Sequence, residues 1–498
     1  MDVSSTLWEV FGRSLRTNAS RPALTAGGQT LTYAELADHV AGAASQLRTA
    51  GVACGDRVVL LTRNVAGFPI YDLALMSLGA VKVPLNPLVS SSDVATVVSR
   101  VSAAVAVVSD SLRPLLSGVP SDLTVLPDVV TPGDRRELPV TPPVGGDDPA
   151  VVYFTGGTTG APKGIVHNQR GAVANLWAHL LEADIRRDER LLLNTPVAHA
   201  AGLFVLAGLL RGAQVYLEEG FDPRRVLQQV HERSITWTFA VPTTIYRLLD
   251  QAESFDGDLS SLRTVQYGAA PISPAQLARA LRLWGPVLQQ LYAQTESPNY
   301  ATLLRKDDHE RALAEPHLLK SAGRATLMCD VAVVDSEGHP VATGDTGEVA
   351  LRSPYVMHGY WGDPEGGKAR FCNGWMLTGD IGYLDEEGFL YLVDRRNDMI
   401  VTGGMNVYSI EVEQALLRHP SIIAAAVVGR PHEDWGEQVT AVVTVADDYD
   451  EAAVRGHCKA ELAAYKCPKE FHVVDALPLT QYGKVDKVAL RKATGMSV

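Results

Sequence analysis

The chain has 498 residues, too many for one ordinary domain, and its 46% hydrophobic and 20% charged residues are the balance of a soluble globular protein without extended disorder. A formal net charge of −13, from 44 basic against 57 acidic side chains, repels phosphate backbones and anionic lipid, so neither nucleic acid nor a membrane is an expected partner. The start lacks the basic and apolar stretches of a signal peptide, no run of about eighteen apolar residues follows, and the five cysteines form no C-x-x-C pair, which argues against a disulfide framework or a zinc site; the cytoplasm is the expected location.

In chain order, Thr32 and Glu35 make a capping box ahead of apolar Leu36, Val40, Ala43 and Leu47, with Gly51 as the stop. Residues 57–61 read as a buried strand, a helix runs through Asp72 to Leu78, and 104–108 repeats the strand signal. The stretch 120–148 holds Pro127, Pro132, Pro139, Pro142 and Pro143 and reads as a surface connection. A central strand at 150–154 then leads into Thr155-Gly156-Gly157-Thr158-Thr159-Gly160-Ala161-Pro162-Lys163-Gly164. Trp237 and Phe239 alternate along a strand and read as core. Such alternation of helix and strand predicts α/β layers around largely parallel sheets up to about residue 394. A smaller unit follows from near Asn397, with helices at 410–417 and 451–464 and strands at 422–428 and 438–445. The expectation is a large N-terminal domain of layered α/β subdomains, 1–396, and a small mobile α+β C-terminal domain, 397–498.

The glycine-rich segment has the makings of a phosphate site: close glycines let backbone N–H groups converge on an anion, Thr155, Thr158 and Thr159 add hydroxyls, and Lys163 adds positive charge. It is not a Walker loop, which needs glycine before the lysine and Ser or Thr after it, where this chain has Pro162 and Gly164. Taken alone it reads equally well as a plain tight turn.

Residues 153–164 resemble the phosphate loop of the adenylate-forming superfamily of acyl-CoA synthetases, luciferases and adenylation domains. The likeness extends, in the superfamily's order, through Tyr292-Ala293-Gln294-Thr295-Glu296-Ser297, Thr378-Gly379-Asp380, the segment 394–404 and the segment 478–487. It implies an acyl-CoA synthetase-like fold and a two-step reaction, in which a carboxylate displaces pyrophosphate from ATP and the acyl group then passes to a thiol. By the same resemblance Glu296 is the Mg²⁺ ligand, Thr155 and Thr295 meet phosphate, Tyr292 meets adenine, and Gly268, Ala269 and Ala270 also bind the nucleotide. Asp380 and Arg395 hold the ribose, and Lys484 is the catalytic cation brought over the ATP site. Asn397 falls at the hinge, Gly403 and Gly404 leave room for the pantetheine arm of coenzyme A, and Lys487 reads as an ordinary surface charge. Gly156 stands where serine is common and Ala293 where glycine is usual; neither change removes a charged group.

The acid pocket implied by the resemblance is lined by His199, Val241, Pro242, Tyr267, Gly268 and Asn299. No aspartate lies in the segment 196–202 to pair with a substrate ammonium, which disfavours free amino acids, and the wording of 398–404 resembles aryl-acid CoA ligases. The expected substrate is a small carboxylic acid, aromatic or arylacrylic, with ATP, Mg²⁺ and coenzyme A. Alternatives are another acceptor (a carrier-protein thiol, an amine, or nitrite-dependent diazotisation of an aromatic amine) and an inactive nucleotide-binding relative, against which Glu296, Asp380 and Lys484 together argue. The sequence is silent on oligomeric state, for which a homodimer is the general expectation.

Overall fold

The computed structural model describes residues 6–140, 144–155, 162–270, 272–396, 398–479 and 485–493. By packing, the chain divides into two compact units, 1–331 with 351–376, and 332–350 with 377–498. The packing unit at the C-terminal end therefore also takes in residues before the expected hinge at Asn397, which itself lies outside the described residues.

Two sheets organise the first unit. Across the nine-stranded one, the strands Leu288–Gln294, Thr264–Gly268, Trp237–Ala240, Arg190–Leu193, Gln214–Leu217 and Pro22–Ala26 are parallel neighbours in that order. Its edges are antiparallel: Gln29–Thr32 at one side, Ser297–Leu304 and Arg324–Ala325 at the other. In the seven-stranded sheet Pro149–Thr155, Val81–Pro84, Arg57–Leu61, Val105–Val108 and Thr124–Pro127 run parallel, and Lys163–Asn168 and Gly359–Tyr360 close one edge antiparallel. Parallel strands buried on both faces need continuous apolar sequence, and Val58 to Leu61 and Val105 to Val108 supply it.

The predicted capping box forms: Glu35 N–H donates to Thr32 Oγ1 at 3.2 Å and Thr32 N–H to Glu35 Oε2 at 2.8 Å, opening the helix Tyr33–Thr49, with Gly51 at φ +85° beyond its end. The proline-rich connection differs from expectation in holding a strand, Thr124–Pro127, parallel to Val105–Val108. It lies at the sheet edge, where a proline at the strand end sacrifices no pairing. Trp237 and Phe239 are core, packed around Phe204 with ring centroids 4.8 and 5.1 Å away.

In the second unit the helices Ser409–Leu417 and Glu451–Glu461 cover a sheet of Ile422–His432, Gly436–Val445, Ile400–Thr402, Met405–Val407 and Glu470–Val473. The short hairpin Ile400–Thr402 with Met405–Val407 was not expected from sequence. It turns on Gly403 and Gly404, at φ +56° and +78°, the two positive values a tight two-residue hairpin demands.

Candidate active site

Ligands of parallel α/β sheets bind beyond the carboxyl ends of the strands, and that edge of the nine-stranded sheet collects Val241, Pro242, Gly268, Ala269, Thr295 and Glu296 of the expected residues. Strands 237–240, 264–268 and 288–294 are paired in parallel, with Ala240 opposite Tyr267 and Gly268 opposite Leu291, so they end side by side. Val241 and Pro242 follow the first and begin the helix Pro242–Ala252. The second ends in Gly268, and Ala269 follows it. A Cβ on Gly268 would meet the Leu291 carbonyl oxygen at 2.5 Å, so only glycine lets the neighbouring strand pass. Ala269 adopts φ +69°, a conformation that disfavours any side chain and that proteins keep where a backbone must be aimed.

The third strand ends in a hairpin whose two-residue tip is Thr295-Glu296, because Gln294 pairs with Ser297; Tyr292 lies just before, beside a bulge. The tip is held by groups that sequence reading did not single out. His167 Nε2 lies 2.8 Å from the Thr295 carbonyl oxygen, the Met357 N–H donates to the Glu296 carbonyl at 2.7 Å, and the Tyr360 hydroxyl donates to Glu296 Oε1 at 3.0 Å. Burial pushes His167 down to about 4, so its ring is neutral and donates from Nε2. Arg370 Nη2 approaches Gln294 Oε1 at 3.4 Å. Gly359-Tyr360-Trp361 carries no polar pattern of its own, and only its pairing with Lys163–Asn168 places it at the site.

Thr155 ends its strand opposite Lys163. The residues between that make up the expected phosphate cradle, Gly156, Gly157, Thr158, Thr159 and Gly160, lie outside the described residues, as does Lys484. Lys163 Nζ sits 5.3 Å from the Tyr360 ring centroid.

His199 precedes the helix Ala200–Arg211, its ring 6.3 Å from that of Tyr153, and burial pushes it down to about 4. Asn299, at φ +65°, is committed to the protein: its Nδ2 is 2.9 Å from His179 Nε2 and 3.3 Å from the Ala200 carbonyl oxygen. His179 lies 2.7 Å from the Asn175 carbonyl oxygen through Nδ1, and burial also holds it near 4. Its Nδ1 therefore carries the proton and its Nε2 accepts from Asn299. Tyr267 departs from the expected pocket wall. Its ring is fully buried and its hydroxyl lies 3.0 Å from Gln290 Oε1 and 2.8 Å from His309 Nε2, so only its backbone is left at the strand end.

In the second unit, Asp380 is buried on the strand Trp375–Leu384 with its backbone opposite Arg395. Arg395 Nε stands 3.3 Å from Asp380 Oδ1, on the exposed side. Gly379, at φ +77°, donates its N–H to Glu348 Oε1 at 2.8 Å, and Glu348 pairs with Arg396 at 3.0 Å. The reading of Lys487 as a surface charge is corrected. Its side chain is 15% exposed, pairs with Glu413 at 2.7 Å and donates to Ser409 Oγ at 2.6 Å, because the helix Lys487–Ala493 packs Leu490 against the sheet and carries the lysine inward with it. Open space surrounds Gly403 and Gly404, so the turn rather than packing within the chain requires glycine there.

Among the described residues no group of three or more His, Cys, Asp or Glu side chains is placed to hold a metal. The donors fit magnesium nonetheless: Mg²⁺ is held through one or two carboxylates plus substrate phosphates and water, and Glu296 offers Oε2 beside the one oxygen that Tyr360 occupies. Charge for a triphosphate is present in Lys163, and a buried carboxylate able to accept two hydroxyls is present in Asp380.

No helix among the described residues is long and apolar enough to cross a membrane. The family model for AMP-binding enzymes matches residues 11–361, and that for the AMP-binding enzyme C-terminal domain matches 411–484. The chain is 36% identical to a medium/long-chain-fatty-acid–CoA ligase of Mycobacterium tuberculosis, over 96% of this chain and 88% of that one. It is 35% identical to a feruloyl-CoA synthase of Amycolatopsis sp, over 98% of each. The solved amide bond synthetase McbA of Marinactinospora thermotolerans superposes with a TM-score of 0.87 at 33% identity, covering 98% of this chain and 99% of that one. With both family models matched in order across a fold of this shape, the chain belongs to the AMP-binding enzyme family, as an adenylate-forming enzyme of acyl-CoA synthetase type.

Proposed function

We propose that this AMP-forming acid–CoA ligase, which works with ATP, Mg²⁺ and coenzyme A, activates a small aromatic or arylacrylic acid. The observation that carries the choice of acid is the character of the expected walls. His199 is held neutral, Val241 and Pro242 are apolar, Gly268 has no side chain, and the Asn299 amide nitrogen is spent on His179 and Ala200. Nothing there pairs a second charge on the substrate, and the resemblance to a feruloyl-CoA synthase points the same way.

In the first step a carboxylate oxygen bonds to the α-phosphorus and the bond to pyrophosphate breaks; in the second the sulfur of coenzyme A bonds to the acyl carbon and AMP leaves. Both reactants of the first step are anions, so the chain must supply positioned positive charge and donors. In this reading Thr155 and Thr295 donate to phosphate oxygens, Lys163 balances the outer phosphates, and Lys484 meets the charge shared by carboxylate and α-phosphate. Tyr292, with the backbone of Gly268, Ala269 and Ala270, bounds the adenine, while Asp380 and Arg395 hold the ribose. Glu296 would hold Mg²⁺, which supplies charge neutralisation at the phosphates when bound. The two steps need different groups over one site, and movement of 397–498 about Asn397, bringing Gly403 and Gly404 to the thiol, meets that need.

The test is acid-dependent pyrophosphate release over a panel of aromatic, arylacrylic, fatty and dicarboxylic acids, with and without coenzyme A, with thioester read by mass spectrometry. A preference for fatty acids would remove the substrate assignment. A second reading, transfer to an amine, is favoured by the likeness to an amide bond synthetase. Amide formation from acid and amine without coenzyme A, at a rate rivalling thioester formation, would support it.

A further inference from the structure

Glu296 sits at the tip of a hairpin, where a glutamate's three torsions are ordinarily free. Here the Met357 N–H fixes its backbone at 2.7 Å and the Tyr360 hydroxyl fixes one carboxylate oxygen at 3.0 Å. Tyr360 is itself immobilised. It is 9% exposed, its backbone pairs with Ile165, the next N–H donates to the Gly164 carbonyl at 2.7 Å, and the indole of Trp361 donates to the Arg100 carbonyl at 3.1 Å. The same ring takes Lys163 Nζ against its π-system at 5.3 Å, while its hydroxyl takes Glu296 Oε1 at 3.0 Å. A carboxylate and an ammonium near one another in a partly buried site would otherwise collapse together and cancel.

We propose that Tyr360 is a positioning residue that holds the Glu296 carboxylate through its hydroxyl and the Lys163 ammonium through its ring, keeping the two charges apart and each aimed at the metal–nucleotide complex. Hydrogen-bond partners of a metal-binding carboxylate set its orientation, and their removal typically weakens metal binding about ten- to a hundredfold. Tyr360→Phe takes away the hydroxyl and keeps the ring; Tyr360→Leu takes away both. The inference rests on the reading of Glu296 as the magnesium ligand.

The experiment measures binding, not turnover: Mn²⁺ is titrated into enzyme with ATP, without acid, and followed by water-proton relaxation, alongside metal-free ATP binding by calorimetry. Expected are a roughly tenfold weaker Mn²⁺ affinity in Tyr360→Phe with metal-free ATP affinity preserved, and loss of both in Tyr360→Leu. In a Glu296→Gln background, Tyr360→Phe should have no further effect on Mn²⁺. If Glu296→Gln weakens Mn²⁺ binding while Tyr360→Phe stays within twofold of wild type, this inference falls and the reading of Glu296 stands. If Glu296→Gln leaves Mn²⁺ affinity unchanged, both fall. Tyr360→Phe must unfold at the wild-type temperature, which separates lost positioning from lost structure.

Discussion

Exchanging Lys82 for methionine should destabilise the first unit by several kcal/mol, and the defect should shrink in acid. Lys82 Nζ and Asp72 Oδ2 are 2.5 Å apart with both side chains buried, at the wall of a cavity of about 30 Å³ that Tyr153 and Gln169 also line. That space suits one water and is too small for the acid, whose expected walls at Val241, Pro242 and Gly268 do not border it. Asp72 Oδ1 has no hydrogen-bond partner among the described residues, and burial holds this carboxyl above the usual range against the pull of Lys82. Without the lysine, the carboxylate must stay charged and unpaired or take up a proton. The second route limits the cost: about 1.4 kcal/mol for each pH unit above an ordinary Asp value near 4, hence at most about 5 kcal/mol at about pH 7.5. Breaking a buried pair from one side typically costs about 3–5 kcal/mol, in the same range.

At roughly 2 °C per kcal/mol for a unit of this size, Lys82→Met should unfold about 6–10 °C earlier than wild type in differential scanning fluorimetry at about pH 7.5. The sign with pH follows from proton counting. Without Lys82 to pull it down, the folded-state carboxyl rises further than in wild type; between the two folded-state values the folded variant binds more protons than the folded wild type, so it loses stability relative to wild type as pH rises and recovers it as pH falls. Asp72→Leu/Lys82→Met removes both charges and should fall within about 2 kcal/mol of wild type. A single variant as stable as the double, or a defect unchanged between about pH 5.5 and 7.5, would refute this account.

Other outcomes follow from the same geometry. His167, His179 and His309 are each held near 4 by burial, against an ordinary 6.5, so the unfolded chain binds more protons between these values and stability is lost as pH falls from about 6.5 to 4. Each contributes up to about 1.4 kcal/mol per pH unit, and His179→Gln should flatten urea-unfolding stability against pH by about one proton. Lys487→Met should destabilise the second unit by about 2–4 kcal/mol, because half-buried Glu413 loses its counter-charge and keeps only the Val427 N–H, whereas exposed Lys492→Met should change it by less than about 0.5, as read by urea midpoints. Gly404→Ala should cost about 1 kcal/mol through the positive φ of the turn, a strain visible in thermal melts whether or not coenzyme A is present. Lys484→Ala should slow acid-dependent pyrophosphate release by at least about a hundredfold while leaving ATP affinity within severalfold; undiminished release would remove Lys484 from the chemistry.

What the sequence disclosed and what it hid divide along a physical line. The capping box at Thr32, the buried runs at 57–61 and 104–108 and the layered α/β plan were legible because each is written in neighbouring residues. Glu296 and Asp380 stood out through ordered motifs, and the fold brings Val241, Gly268 and Glu296 to one sheet edge by parallel register, which no local pattern encodes. Tyr360 and His167 were missed because their significance is a matter of partners 64 and 128 residues away. Lys487 was misread for the converse reason. A lysine in a polar stretch reads as solvated until a helix is docked, and docking buries whichever side chains share the face with Leu490. Buried polar groups at long sequence separation are where local reading fails, and Tyr360 and His167 are such groups, hydrogen-bonded to Glu296 and Thr295. The double variant at Asp72 and Lys82 and the single one at Tyr360 therefore separate two uses of a buried polar contact. The first should change stability more than binding, and the second metal affinity more than stability.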